Sequence, residues 1–206
     1  MKRSSLILML VLAAIGLAVA GAVSILHNGL SARAKPSALE TLLARNAHLL
    51  AIPQGARDAR NPVAASPENL RDARLHFADH CAICHGNDGS GDSMIGKGLY
   101  PKPPDLSSAE TQKLSDGELF WIIENGVRFT GMPAFGGEHD HQDGHQEDSW
   151  KLVLFIRHLP QISADERIEM ERYNPKGPED RDEEQEELDF LKGGPVQQKP
   201  DAPHHH

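Results

Sequence analysis

Hydrophobic positions along the 206-residue chain fall into three patterns. The first is an apolar run from Leu6 to Leu26, broken only by Ser24. As a helix it is about 32 Å long, close to the roughly 30 Å hydrocarbon core of a bilayer, and so long enough to span one. The second is helical periodicity. In "SALETLLARNAHLL", Leu39, Leu42, Leu43, Leu49 and Leu50 recur at helical spacing behind Ser37 and Glu40, which read as a capping box. Pro67 precedes the helical run "ENLRDARLHFADHC"; Ser115 with Glu118 opens another, "GELFWIIENG", which stops at Gly126. "SWKLVLFIRHL" ends at Pro160, and "SADERIEMERY" reads as a short capped helix. The third pattern lacks periodicity. Gly86, Gly89, Gly91, Gly96 and Gly98 followed by "YPKPPDL" predict loops wrapped around something, and the charged stretch from Asn174 to the end carries too few apolar residues to offset its ordering entropy.

These patterns predict an all-α protein in sections: a cytoplasmic N-terminus (1–5), a transmembrane anchor (6–26), a linker with an amphipathic helix over 37–50 (27–66), a folded domain (67–160), and a charged, largely disordered tail (161–206). Ala18-Val19-Ala20 also resembles a signal-peptidase site, but apolarity continues beyond it and favours an uncleaved anchor. Lys2 and Arg3 hold the N-terminus in the cytoplasm and send the remainder to the periplasmic side. No cysteine lies near this segment, which excludes a lipoprotein anchor. Helix 37–50 can lie on the membrane or a partner, or pack on the domain; packing is the expectation, because Arg45 alone gives little basic charge for lipid.

Composition narrows the function classes. Asp and Glu number 30 against 21 Lys and Arg, a net charge of −9, so there is no basic footprint for nucleic acid. The acidic block from Glu179 to Asp189 is solvating or docks a basic partner. Aromatic residues make up only 5% of the chain, too few to build a core for three helices and long loops without another filling.

The two cysteines supply that filling. Cys81 and Cys84 are the chain's whole complement and stand in "CAICH" with His85 behind them. This is the C-x-x-C-H signature of c-type haem attachment: each thiol adds across a vinyl group, and the adjacent histidine ligates iron from one side. The spacing puts both sulfurs on one helical turn. A redox disulfide would not need His85, a zinc site would need two more ligands, and a structural disulfide would close too short a loop to stabilise much. A sixth ligand is offered by "GMPAF", where Met132 sits between glycine and proline. Met1 and Met9 are terminal or in the apolar run, Met94 follows the motif too closely, and Met170 falls in the tail. His139, His141, His145 and His158 are the rival ligands. Methionine–histidine ligation raises the reduction potential and suits a one-electron carrier.

Residues 67–160 resemble the class I c-type cytochromes, which include soluble carriers and the small haem subunits of bacterial oxidases and dehydrogenases. Phe77 matches the aromatic of the family's N-terminal helix, Trp150 to Leu159 resembles the C-terminal helix that crosses it, and "GMPAF" resembles the sixth-ligand loop. Ala73 departs from the glycine common at that crossing. The resemblance implies a fold of three to four helices around one covalent haem c. It also implies a proline carbonyl, from Pro103 or Pro104, that accepts the proximal histidine's second N–H and fixes its orientation. Tyr100, Trp121 and Arg128 become candidates for the haem edge or propionates, or for ordinary packing.

Beside this stands "GGEHDHQDGHQED", in which His139, His141 and His145 mix with carboxylates that suit zinc, copper or nickel. A solvated insertion is the plainer reading. The sequence as a whole predicts a periplasmic, membrane-tethered electron carrier with redox-protein partners and no small-molecule substrate. A haem subunit of a larger oxidase or dehydrogenase, or a haem sensor or enzyme with a displaceable Met132, are the alternatives.

Overall fold

A computed structural model describes residues 3–28, 31, 32, 34–136, 144–177, 188 and 191, with the side chains of 27, 28, 144 and 145 excepted. The described residues form helices and loops without a strand: α1 (Arg3–Asn28), α2 (Ala38–Ala51), α3 (Gln54–Arg57), α4 (Pro67–His76), α5 (Ala82–His85), α6 (Met94–Gly98), α7 (Ala109–Gln112), α8 (Asp116–Asn125), α9 (Gly144–His158) and α10 (Ala164–Glu171). The predicted disorder of the tail beyond Gly177 lies outside the described residues, apart from two isolated positions.

Local chemistry explains most boundaries. Ser37, Ser115 and Ser163 each accept from the backbone N–H three residues on, and Glu40, Glu118 and Glu166 bond back to the serine N–H, so α2, α8 and α10 all open with a capping box. Ser66 caps α4 ahead of Pro67, whose missing N–H has no intrahelical partner to lose. Gly126 ends α8 at φ 63°, a conformation few other residues tolerate.

The core forms where α4 meets α9. Phe77, Val153, Phe155 and Leu159 are fully buried, and the rings of Phe77 and Phe155 lie 4.9 Å apart at 56°. Ala73 is buried on α4, so its methyl is accommodated within the core. Phe120 and Trp150 stack at 4.1 Å, joining α8 to α9. Between α4 and α5 the chain makes one π-turn, Phe77–Cys81, closed by the Ala82 N–H donating to the Phe77 carbonyl. An extra residue in a turn rotates the succeeding residues by about 100°, which separates the direction of Cys81 to His85 from the buried face of α4.

Packing extends beyond the segment 67–160. α10 carries Met170, which the sequence places in the tail, into the core with no exposed surface. The capped helix is legible in the sequence, but with Ile168 exposed and Met170 alone buried among charged neighbours its packing face is too faint a pattern to read. The charges are themselves used: nearly buried Arg74 donates to Glu166 at 2.6 Å and to Glu169, and Arg71 donates to Glu169 at 2.9 Å. On the N-terminal side, Ile52 is buried, the Ser115 hydroxyl donates to the Arg57 carbonyl at 2.8 Å, and Asn61 donates to the Trp150 carbonyl at 2.9 Å. Gly117 lies so close to the Ala56 carbonyl that a Cβ would stand 1.8 Å from the oxygen.

Candidate functional site

Cys81 closes the π-turn and Cys84 and His85 occupy α5, and the two cysteines are not joined to each other in a disulfide. Burial pushes the Cys81 thiol up to about 12, aided by the neighbouring Cys84, and raises Cys84 as well. The segment is bound from behind by the glycine loop. Gly86 reverses the chain at φ 74°, the Gly91 N–H donates to the His85 carbonyl at 2.7 Å, and Ser93 Oγ donates to the carbonyls of Ile83 and Cys84 at 2.7 and 3.0 Å. Ser93 also caps α6, which brings Gly96 against the Cys84 carbonyl, where a Cβ would stand 2.3 Å from the oxygen.

His85 is half-buried, and its Nδ1, itself buried, makes no hydrogen bond of ordinary geometry. Burial lowers the imidazole's pKa, while the Pro104 carbonyl facing the ring acts in the opposite direction. The two prolines left undivided by the sequence thus have different surroundings: Pro104 faces His85, and the Pro103 carbonyl packs on Gly91. A neutral imidazole is the form that binds metal, with one nitrogen turned to a carbonyl and the other left for the ligand bond. Two cysteines one turn apart beside such a histidine form the donor set a covalent haem needs, so these residues fit the group.

Met132 is half-buried in a loop tied back to α8. Its N–H donates to Thr130 Oγ1 at 3.1 Å and its carbonyl accepts from Val127 at 3.1 Å, while Phe135 and Gly136 donate to the Ile123 and Glu124 carbonyls. Gly126 admits the loop, since a Cβ there would stand 2.5 Å from the Pro133 carbonyl carbon. Gly131 rests on the side chain of Leu99, which directly follows α6. The contacts Cys84–Gly96 and Leu99–Gly131 therefore connect the cysteine segment to the methionine loop through one short helix.

The remaining predicted residues are dispersed. Tyr100 donates its hydroxyl to the Glu40 carboxylate of α2, and the Trp121 ring packs on His48 of α2 at 6.1 Å, so both face the N-terminal helix. Arg128 is exposed. His158 bonds Glu166 at 3.0 Å on the α10 side. His139 and His141 lie outside the described residues, and His145 is described only as backbone in the first turn of α9. Among the described residues, no group of three or more His, Cys, Asp or Glu side chains is arranged to hold a metal. Ser93 and Leu99 were not singled out by the sequence, and Gly96 only as one of the loop glycines; Ser93 before a glycine-punctuated turn has a local signature, that of an N-cap.

Residues 68–156 match the sequence model of the family described as cytochrome C oxidase, cbb3-type, subunit III. The match starts one residue into α4 and stops within α9, and it encloses the cysteine motif and the methionine loop. This segment is a c-type cytochrome domain. Its cofactor is covalent haem c and its chemistry is haem-based electron transfer. No curated protein sequence matches the chain. The matched segment of the cytochrome domain excludes α2, α3 and α10, three helices that pack on it or supply it with hydrogen bonds. α1 is the one helix among the described residues long and apolar enough to cross a membrane.

Proposed function

We propose that the chain is a membrane-tethered, single-haem electron carrier in which Cys81 and Cys84 attach the haem and His85 and Met132 are its axial ligands. The observation that carries this reading is the path Cys84–Gly96–Leu99–Gly131, which holds the loop bearing Met132 to the segment bearing His85. Bound haem supplies a one-electron couple between ferrous and ferric iron. The protein's part is to hold and shield. Pro104 orients the His85 ring, Thr130 and Val127 fix the backbone of Met132, and Phe77 lies beside the His85 ring at 6.4 Å. Met132, by holding the position a substrate would need, would leave the bound haem to electron transfer and not to chemistry on a substrate. α1 anchors the domain, with Lys2 and Arg3 retaining its start in the cytoplasm and the cytochrome domain in the periplasm.

A second reading is favoured by the family description, which names a subunit of a cbb3-type oxidase: the chain serves within a larger respiratory complex. Purification of the full chain in mild detergent tests the two. A single haem-staining band of the chain's size supports the carrier, and stoichiometric partner subunits support the complex. Absence of covalent haem in protein made with a cytochrome c maturation system rules out both.

A further inference from the structure

α2 is held to the cytochrome domain by its polar side. Glu40 accepts from Tyr100, Arg45 pairs with Glu110 at 2.7 Å, His48 packs on Trp121, and only Ile52, just past the helix, is buried. At about 100° per residue these positions share one side of the helix, and Leu39, Leu42, Leu43 and Leu50 fall on the opposite side, in an arc about 100° wide. Those four leucines are 58–78% exposed. This reverses the usual arrangement, in which a surface helix turns its apolar stripe to the protein. Asn46, the polar residue within the arc, donates one of its two amide N–H groups to the Leu42 carbonyl at 2.7 Å, so part of its polarity is turned back onto the helix itself.

The tether of the helix decides its cover. α1 ends at Asn28 and α2 begins at Ala38. The intervening residues extend about 30 Å at most. A spanning α1 therefore confines α2 to the immediate neighbourhood of the bilayer. Tethering replaces the basic charge that a free amphipathic helix needs, since a high effective concentration at the surface lets a modest apolar contact suffice. We propose that α2 lies in the lipid interface with its leucines immersed, and so sets the orientation of the cytochrome domain on the membrane. The surface it recognises is apolar lipid at the headgroup boundary; anionic headgroups are not required. The inference rests on the reading of α1 as an anchor.

The full chain carrying haem provides the test, because its native cysteines are consumed by the cofactor and one introduced cysteine is then the only free thiol. Nitroxide is attached separately at Leu43→Cys, Leu39→Cys, Ala14→Cys in α1 and Lys113→Cys on the exposed side of the domain, and the proteins are placed in phosphatidylcholine vesicles. Collision with oxygen, which concentrates in lipid, is compared with collision with a water-soluble nickel chelate. The proposal predicts an oxygen-to-nickel ratio at positions 39 and 43 several-fold above that at 113. A ratio at 39 and 43 equal to that at 113, with position 14 immersed, overturns it while leaving the anchor intact. Shielding of 39 and 43 from both reagents overturns it in favour of a second copy or another protein. An aqueous ratio at position 14 removes the anchor reading and the proposal with it.

Discussion

Gly91 lies against the carbonyl of Pro103: a Cβ there would stand 2.5 Å from the oxygen, and the glycine is held at φ 74°. Close approach and a left-handed backbone thus coincide at the point where the glycine loop passes over the proline segment, one residue before Pro104 faces His85. Gly91→Ala meets both obstacles. It should lower stability by about 2 kcal/mol or more, read as an earlier denaturant midpoint of the haem-bearing protein. Because the His85 carbonyl accepts from Gly91, the variant should also mature with less haem than the parent.

The α10 helix should behave as part of the folded domain. Met170 has no exposed surface, so Met170→Ala removes a fully buried side chain and should cost about 2–5 kcal/mol. Truncation after Pro160 removes the same contact together with Glu166 and Glu169, and should lower the thermal midpoint further than Met170→Ala does. Equal midpoints for the full chain and the truncated one would contradict the role assigned to this helix.

The cluster around Arg74 makes a pH prediction. Burial tends to raise the Glu166 carboxyl, but the Ser163 backbone N–H, His158 and the Ser163 hydroxyl outweigh it and bring it down to about 2 from an ordinary value of 4.5. A folded value below the unfolded one means that this carboxylate stabilises the fold fully above pH 4.5, and that its contribution is lost as pH falls towards 2. Glu169 is shifted in the same direction by Arg71 and Arg74, against a burial effect that raises it. Glu166→Gln should destabilise by roughly 2 kcal/mol at neutral pH, since it weakens a charged bond to a nearly buried arginine. In acid titrations the difference between parent and variant should shrink steadily as pH drops below 4.5.

The anchoring proposed for α1 makes a simpler prediction. The full chain should remain in membranes washed with alkaline carbonate, and a chain beginning at Ala34, exported behind a cleavable signal so that it still acquires haem, should be released to the soluble fraction with its haem spectrum unchanged. A soluble full-length chain would mean that α1 is removed or does not span.

Much of this arrangement is legible in residues whose role is local. A capping box needs two residues three apart, so Ser115 with Glu118 and Ser37 with Glu40 read directly, as does the attachment motif, whose chemistry demands a fixed spacing. Elements set by distant contacts do not read in this way. The π-turn over Phe77–Cys81 has no signature of its own, because its residues would serve equally in an α-helix. Met170 is one buried methionine in a mostly charged helix whose other large apolar residue, Ile168, is exposed, and the reversed face of α2 has the same periodicity whichever way it is turned. The choice between Pro103 and Pro104 likewise depends on how the loop folds over His85. Two adjacent prolines are equivalent to the sequence and distinct only in space.

The proposal that Met132 ligates the haem together with His85 is tested most directly by the visible spectrum of the ferric protein. The parent should show a covalent, low-spin haem with the weak long-wavelength band of methionine sulfur bound to ferric iron, and Met132→Ala should keep the covalent haem and lose that band. Persistence of the band in Met132→Ala, or its absence from the parent, would contradict the account and transfer the sixth position to another residue.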